Sequence, residues 1–164
     1  MTADTIHVKG LSDLAKALST LGVKLEKNIM RGALRAGGNV MRDDARKNAA
    51  RATGALAKGV KVSTSAKRGT VYAKVRTTGK HSYVAHMIEF GTAPHRINAR
   101  NGGTIYINGR PVGSGVDHPG SRAMPFMRPA LDGQATASVN ATAAYIRKRL
   151  TAEGINVPDA GDEP

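Results

Sequence analysis

The stretch VKVSTSAKRGTVYAKVR, residues 60–76, decides the architecture. Val60 and Val62 alternate with Lys61 and Ser63. Past Lys67-Arg68-Gly69, Val71, Ala73 and Val75 alternate with Tyr72, Lys74 and Arg76. A period of two places apolar groups on one face of a strand and polar groups on the other. The reading is two half-buried antiparallel strands joined by a short turn, the second ending at Thr78-Gly79-Lys80.

Upstream the period is helical. Leu11, Leu14, Leu18, Leu21, Leu25, Ile29, Ala33, Ala36 and Val40 recur at steps of three and four and form a stripe roughly 120° wide. Ser12 or Asp13 is the expected N-cap. Gly37-Gly38 weakens the helix by about 1 kcal/mol per glycine, so a bend is expected there, or a second helix running to about Ala52. The opposite face carries Lys16, Lys24, Lys27, Arg31, Arg35 and Arg42, either solvated or facing phosphate or an acidic neighbour.

Downstream, Tyr83 to Phe90 is a compact apolar run that periodicity assigns to neither helix nor strand, and Gly91 stops it. Residues 96–120 form a Gly-rich excursion. Thr104-Ile105-Tyr106-Ile107, Asn108-Gly109 and Arg110-Pro111-Val112 carry a hairpin signal within it. Gly102, Gly103, Gly113, Gly115 and Gly120 suggest a loop ordered only by a neighbour. Pro125 and Pro129 frame the start of a last helix, with Leu131, Ala135, Val139, Thr142, Ile146 and Leu150 on its buried face. Arg147, Lys148 and Arg149 suit the negative end of its dipole. The order gives an α+β fold, with a long N-terminal helix and a C-terminal helix packed on a small antiparallel sheet, and an extended loop hairpin. One domain is expected over 1–154, with a disordered acidic tail over 155–164.

The 164 residues carry 25 Lys+Arg against 12 Asp+Glu, a net charge of +13. Between residues 27 and 131 there are only four acids: Asp43, Asp44, Glu89 and Asp117. Such a surface attracts nucleic acid or acidic partners. Only 4% of residues are aromatic, so the core is expected to be thin and completed by neighbours in an assembly. The absence of Cys excludes disulfides, thiolate metal sites and a cysteine nucleophile. No apolar run reaches the ~18 residues a membrane span needs. MTADTIHVKG lacks a secretory apolar block, so a soluble protein of a reducing compartment is expected, with no membrane partner.

Neither a phosphate-binding G-x-x-x-x-G-K-[ST] loop nor a G-x-S-x-G elbow is present. Asp43 and Asp44 are adjacent on a helix and diverge. His81, His86, His95 and His118 match no standard metal spacing, and His86 reads as a partly buried histidine beside Ile88 and Phe90. A histidine-dependent metal enzyme is the weakest of the readings. No catalytic residue, cofactor or metal is therefore assigned. No helix-turn-helix spacing is evident and the aromatics are too scattered for base stacking, which leaves non-specific phosphate contact as the nucleic-acid alternative.

Two segments carry a family pattern. One is Tyr83 through Thr92, with Glu89-Phe90-Gly91-Thr92 at its end. The other runs from His118-Pro119-Gly120 into Pro125-Phe126-Met127-Arg128-Pro129-Ala130. Together, over roughly residues 10–150, they resemble the tail-completion or head–tail joining (minor tail) family of long-tailed bacteriophages, similar in role to the phage lambda protein Z group. The resemblance implies a structural, non-catalytic protein of the virion neck, present in host cytoplasm during assembly. It implies a homo-oligomeric, sixfold ring that completes the tail. Its partners would be the head connector or stopper and the tail terminator or tail tube, with genomic DNA passing through the lumen. A tail terminator or head-closure stopper of the same neck is the alternative. Glu89 is expected to pair with Arg128, and Phe126 to anchor the last helix on the sheet. Arg96, Arg100, Tyr106 and Arg110 are candidates for an inter-subunit loop.

Overall fold

The computed structural model describes residues 10–19, 21–49, 54–80 and 82–155. The helical stripe forms two helices, α1 (Leu11–Ser19) and α2 (Val23–Asn48). The interruption precedes Val23, where Gly22 is extended and its carbonyl accepts from the Leu25 and Glu26 amides. α2 runs unbroken through Gly37-Gly38. A Cβ at Gly37 would sit 2.7 Å from the Ser138 carbonyl oxygen, and one at Gly38 would sit 2.9 Å from Val62 Cγ1. Close packing against both neighbours offsets the low helix propensity of this pair. α2 also stops earlier than Ala52, since Ala49 is already extended. Because α1 begins at Leu11, Ser12 and Asp13 stand inside its first turn rather than capping it, and Leu11 itself is exposed.

A short helix α3 (Ala55–Gly59) leads into β1 (Val60–Lys67), which pairs antiparallel with β2 (Thr70–Thr77). Arg68 and Gly69 have φ of 50° and 81°, the tight turn that matches strand twist. The register runs from Val60↔Thr77 to Lys67↔Thr70, so Val60, Val62, Val71, Ala73 and Val75 share one face. That face lies against α2, and Arg46 fastens the two by donating from Nε and Nη2 to the Val60 carbonyl at 3.1 and 2.9 Å.

The undecided apolar run becomes a 3-10 turn at Ser82–Val84 followed by α4 (Ala85–Phe90). The Gly-rich excursion forms two antiparallel ladders. β3 (His95–Asn98) pairs with β6 (Gly115–His118), and beyond them β4 (Ile105–Ile107) pairs with β5 (Arg110–Gly113) around Asn108-Gly109. The result is a two-stranded arm.

The last helix, α5 (Met127–Ala152), runs antiparallel to α2 and packs chiefly along it. One apolar cluster joins Leu14, Leu18, Ile29 and Ala33 to Ala143, Ile146 and Leu150. The other joins Ala45, Ala49, Leu56, Val60 and Ala85 to Phe126 and Ala130. The expected stripe holds at Ile146 and Leu150, which are buried, and at Ala135, Val139 and Thr142, which are half-buried; it fails at its N-terminal end, where small groups face α2. Ala130 and Ser138 are buried, whereas Leu131 is 55% exposed. α5 ends with the Ile155 amide donating to Leu150 O and the Gly154 amide to Thr151 O, with Gly154 at φ 80°. Arg149 alone lies in the last turn, 3.6 Å from Glu153. Ile155 packs on the first cluster, so the expected tail begins with a placed residue. Its acidic remainder, 156–164, lies outside the described residues.

Candidate functional site

The two sequence segments meet at one buried carboxylate. Glu89, on α4, is 8% exposed. Its Oε2 accepts from the amides of Phe126 at 2.8 Å and Met127 at 2.9 Å, and its Oε1 from the amide of Arg128 at 2.9 Å. The first four N–H positions of a helix lack partners within it. At the start of α5 three of them are Phe126, Met127 and Arg128, and the fourth is Pro129, which has no N–H. Glu89 therefore satisfies every orphan donor that exists there, and its charge complements the positive end of the helix. Burial alone would raise the Glu89 carboxyl. The three amides and the nearby Arg128 charge overcome it, and the group sits below its ordinary value.

This corrects the expected Glu89–Arg128 ion pair. Glu89 reaches Arg128 through its backbone amide, and the Arg128 guanidinium lies over the Phe90 ring, 5.5 Å from its centroid. Phe126 is 1% exposed and among the largest fully buried side chains; its cluster holds Val60 of the sheet but consists mostly of helix residues, Ala45 and Ala49 of α2, Leu56 of α3 and Ala85 of α4.

Backbone contacts extend the junction. Thr92 and Ser121 exchange both amide–carbonyl bonds, at 3.0 and 3.1 Å, and the Met124 amide donates to Ile88 O at 2.7 Å. Gly91 sits at φ 73°, where a Cβ would lie 2.6 Å from Ser121 O, so both conformation and space demand glycine. These contacts were missed in the sequence because backbone partners leave no residue-type signature.

Around this centre several large apolar side chains stand exposed, beside the exposed Arg122 and Arg128. Tyr83 (66%), Phe90 (65%), Met124 (56%) and Leu131 (55%) are all exposed. An open groove of about 620 Å³ lies beside Phe90 and Leu131, floored by Met41 and Ala45 of α2 and by Ala73 and Val75 of β2. Pro125 is exposed next to the junction. Arg96, Arg100, Tyr106 and Arg110 are not part of it; all four are exposed on the arm, where Arg96 faces Asp117 at 3.1 Å. His86 is exposed, not partly buried as expected. The His95 and His118 rings pair at 5.1 Å, with His118 Nδ1 accepting from the Gly120 amide. His81 lies outside the described residues. Among the described residues no group of three or more His, Asp or Glu could hold a metal ion, and no helix is long and apolar enough to cross a membrane.

Residues 12–91 match the family model described as "Bacteriophage HK97-gp10, putative tail-component". No curated protein and no solved structure matches the chain. The match starts in α1 and ends at Gly91, so it holds the Glu89 half of the junction and stops before the Phe126 half. It is a match to phage tail components in general and not to the lambda protein Z group in particular. From α1 to the end of α4, then, the chain is similar to a family of bacteriophage tail components.

Proposed function

We propose that this protein is a structural subunit of the phage neck that assembles into a ring, completes the tail and joins it to the head connector. It acts by fit between surfaces and transforms no substrate. The observation that carries the reading is the apolar collar of Tyr83, Phe90, Met124 and Leu131 around the Glu89 junction. Aromatic side chains are scarce in this chain, with two Phe and four Tyr, and exposed apolar groups that flank one junction, two of them sharing a groove, mark a contact surface. The backbone beneath is held by Glu89 and by the Thr92–Ser121 bridge, so docking of the collar orders side chains and not the chain that carries them. The arm offers a second surface, with Tyr106 and Ile107 66% and 48% exposed. Two different patches on one subunit make a head-to-tail contact, which closes into a ring when the rotation allows. The sixfold number and the passage of DNA through the lumen belong to this proposal, as do the head-connector and tail-tube contacts.

The test is assembly. Particles made without the protein should show heads and tails that do not join, and Phe90→Asp with Leu131→Asp should reproduce that defect while the purified variant stays folded. Normal joining in either case would remove the reading. A particle map showing the axial position of this chain separates tail completion from the terminator and stopper roles.

A further inference from the structure

The β1–β2 hairpin has a second face, turned away from α2. Alternation and register place Lys61, Ser63, Ser65 and Lys67 on it from β1, and Thr70, Tyr72, Lys74 and Arg76 from β2. Lys61 stands directly opposite Arg76, and Ser63 opposite Lys74. Like charges facing each other across a ladder oppose pairing. None of the four cations takes part in any ion pair among the described residues. No acid occurs between Asp44 and Glu89, a span with ten Lys+Arg, so the chain nearby supplies no counter-charge.

We infer that this hairpin face binds the phosphate backbone of double-stranded DNA, without sequence preference. Lys61 to Lys67 extends about 20 Å along the strand, too far for a small anion to answer all the cations together. A duplex carries one negative charge per ~1.7 Å of axis and meets them at once. The neutral groups agree, since Ser63, Ser65, Thr70 and Tyr72 bring hydroxyls, which hydrogen-bond phosphate oxygens. The face bears no aliphatic side chain, whereas the centre of a protein–protein contact is depleted of charge and rich in apolar groups. An acidic protein is therefore the poorer fit. The inference deepens the neck-ring reading and rests on it for the presence of DNA.

The experiment is a titration of the purified full-length chain with a short random-sequence duplex at several salt concentrations. Four phosphate contacts predict a slope of log K against log salt of roughly −3.6. Lys61→Ser, Lys67→Ser, Lys74→Ser and Arg76→Ser combined should remove nearly all of that slope, about 3.6 units, and weaken binding roughly 100-fold at low salt. The three lysines changed to Arg should preserve it, and Arg96→Ser with Arg110→Ser on the arm should leave it unchanged. Thermal unfolding checks the combined variant. If that variant fails to fold, Lys67→Ser and Lys74→Ser singly should each lower the slope by about one. Absence of duplex binding by the wild type at low salt overturns the inference, and so does an unaltered slope in the serine variants. Loss of polyglutamate binding with duplex binding retained also overturns it, in favour of an acidic protein partner. Sedimentation of the same samples reports ring formation separately, so a chain that binds duplex but never assembles sinks the ring and not the hairpin.

Discussion

The Phe126 amide donates to Glu89 Oε2 at 2.8 Å across 37 residues of chain. The same carboxylate takes the next two amides, so one side chain from α4 fixes where α5 begins. The Glu-Phe-Gly-Thr and Pro-Phe-Met-Arg-Pro segments are thus two halves of one contact.

Glu89→Ala removes the acceptor for three amide donors, one buried and two part-buried. Leaving such groups unpaired costs about 1–3 kcal/mol each, so a loss of about 3 kcal/mol or more is expected by chemical denaturation. Glu89→Gln keeps one oxygen and should lose less. Equal midpoints for all three proteins would show that the carboxylate does not hold the helix.

Acid should weaken the fold through the same group. The Glu89 carboxyl sits below its ordinary value in the folded chain, so folding binds fewer protons than unfolding over the interval between the two values. Its stabilisation is complete above the ordinary carboxylate range and is lost as pH falls through the lowered value. Asp43, lowered chiefly by its hydrogen bond from Arg42, acts in the same direction but is half exposed. Denaturation midpoints measured from neutral to acid pH should fall in the wild type and fall less in Glu89→Gln.

Phe126→Ala empties the middle of the second apolar cluster and should cost about 3–5 kcal/mol. A denaturation curve superimposable on the wild type would show that the site is not core.

Gly37→Ala tests the contact between the long helices. The new methyl meets the Ser138 carbonyl at 2.7 Å, and backbone cannot swing aside as a side chain can. A loss of about 1–3 kcal/mol is expected, although alanine is the better helix former. A gain in melting temperature would mean that the helices separate freely.

Phe90→Ala divides folding from assembly. Phe90 is 65% exposed and its main partner is the Arg128 guanidinium, so stability should fall by no more than about 1 kcal/mol. If the proposed ring forms, self-association by sedimentation should fall sharply. The opposite pattern, an unstable chain that still assembles, would move Phe90 from the surface to the scaffold.

The hairpin at 60–77 was legible because strict alternation and a Gly-containing turn agree at every position. The helices were legible from their periodicity, but not their exact faces. Leu131 looked like core by spacing, yet the approach of Gly37 to Ser138 sets the rotation of α5, and small residues carry little hydropathy signal. Glu89 stood out as an isolated acid in a basic span. Its partner was misjudged because charge counting finds guanidinium groups and overlooks amides. The pairing of β3 with β6 escaped notice because four-residue exposed strands have no buried face to mark them.

The arm departs from the body at Thr92 and returns to it at Ser121, and those two residues are locked together by a reciprocal pair of bonds. The arm thus meets the body through one paired bridge. An insertion or a trim at the Asn108-Gly109 tip is therefore expected to leave α4 and α5 in place and to change only how far the arm extends.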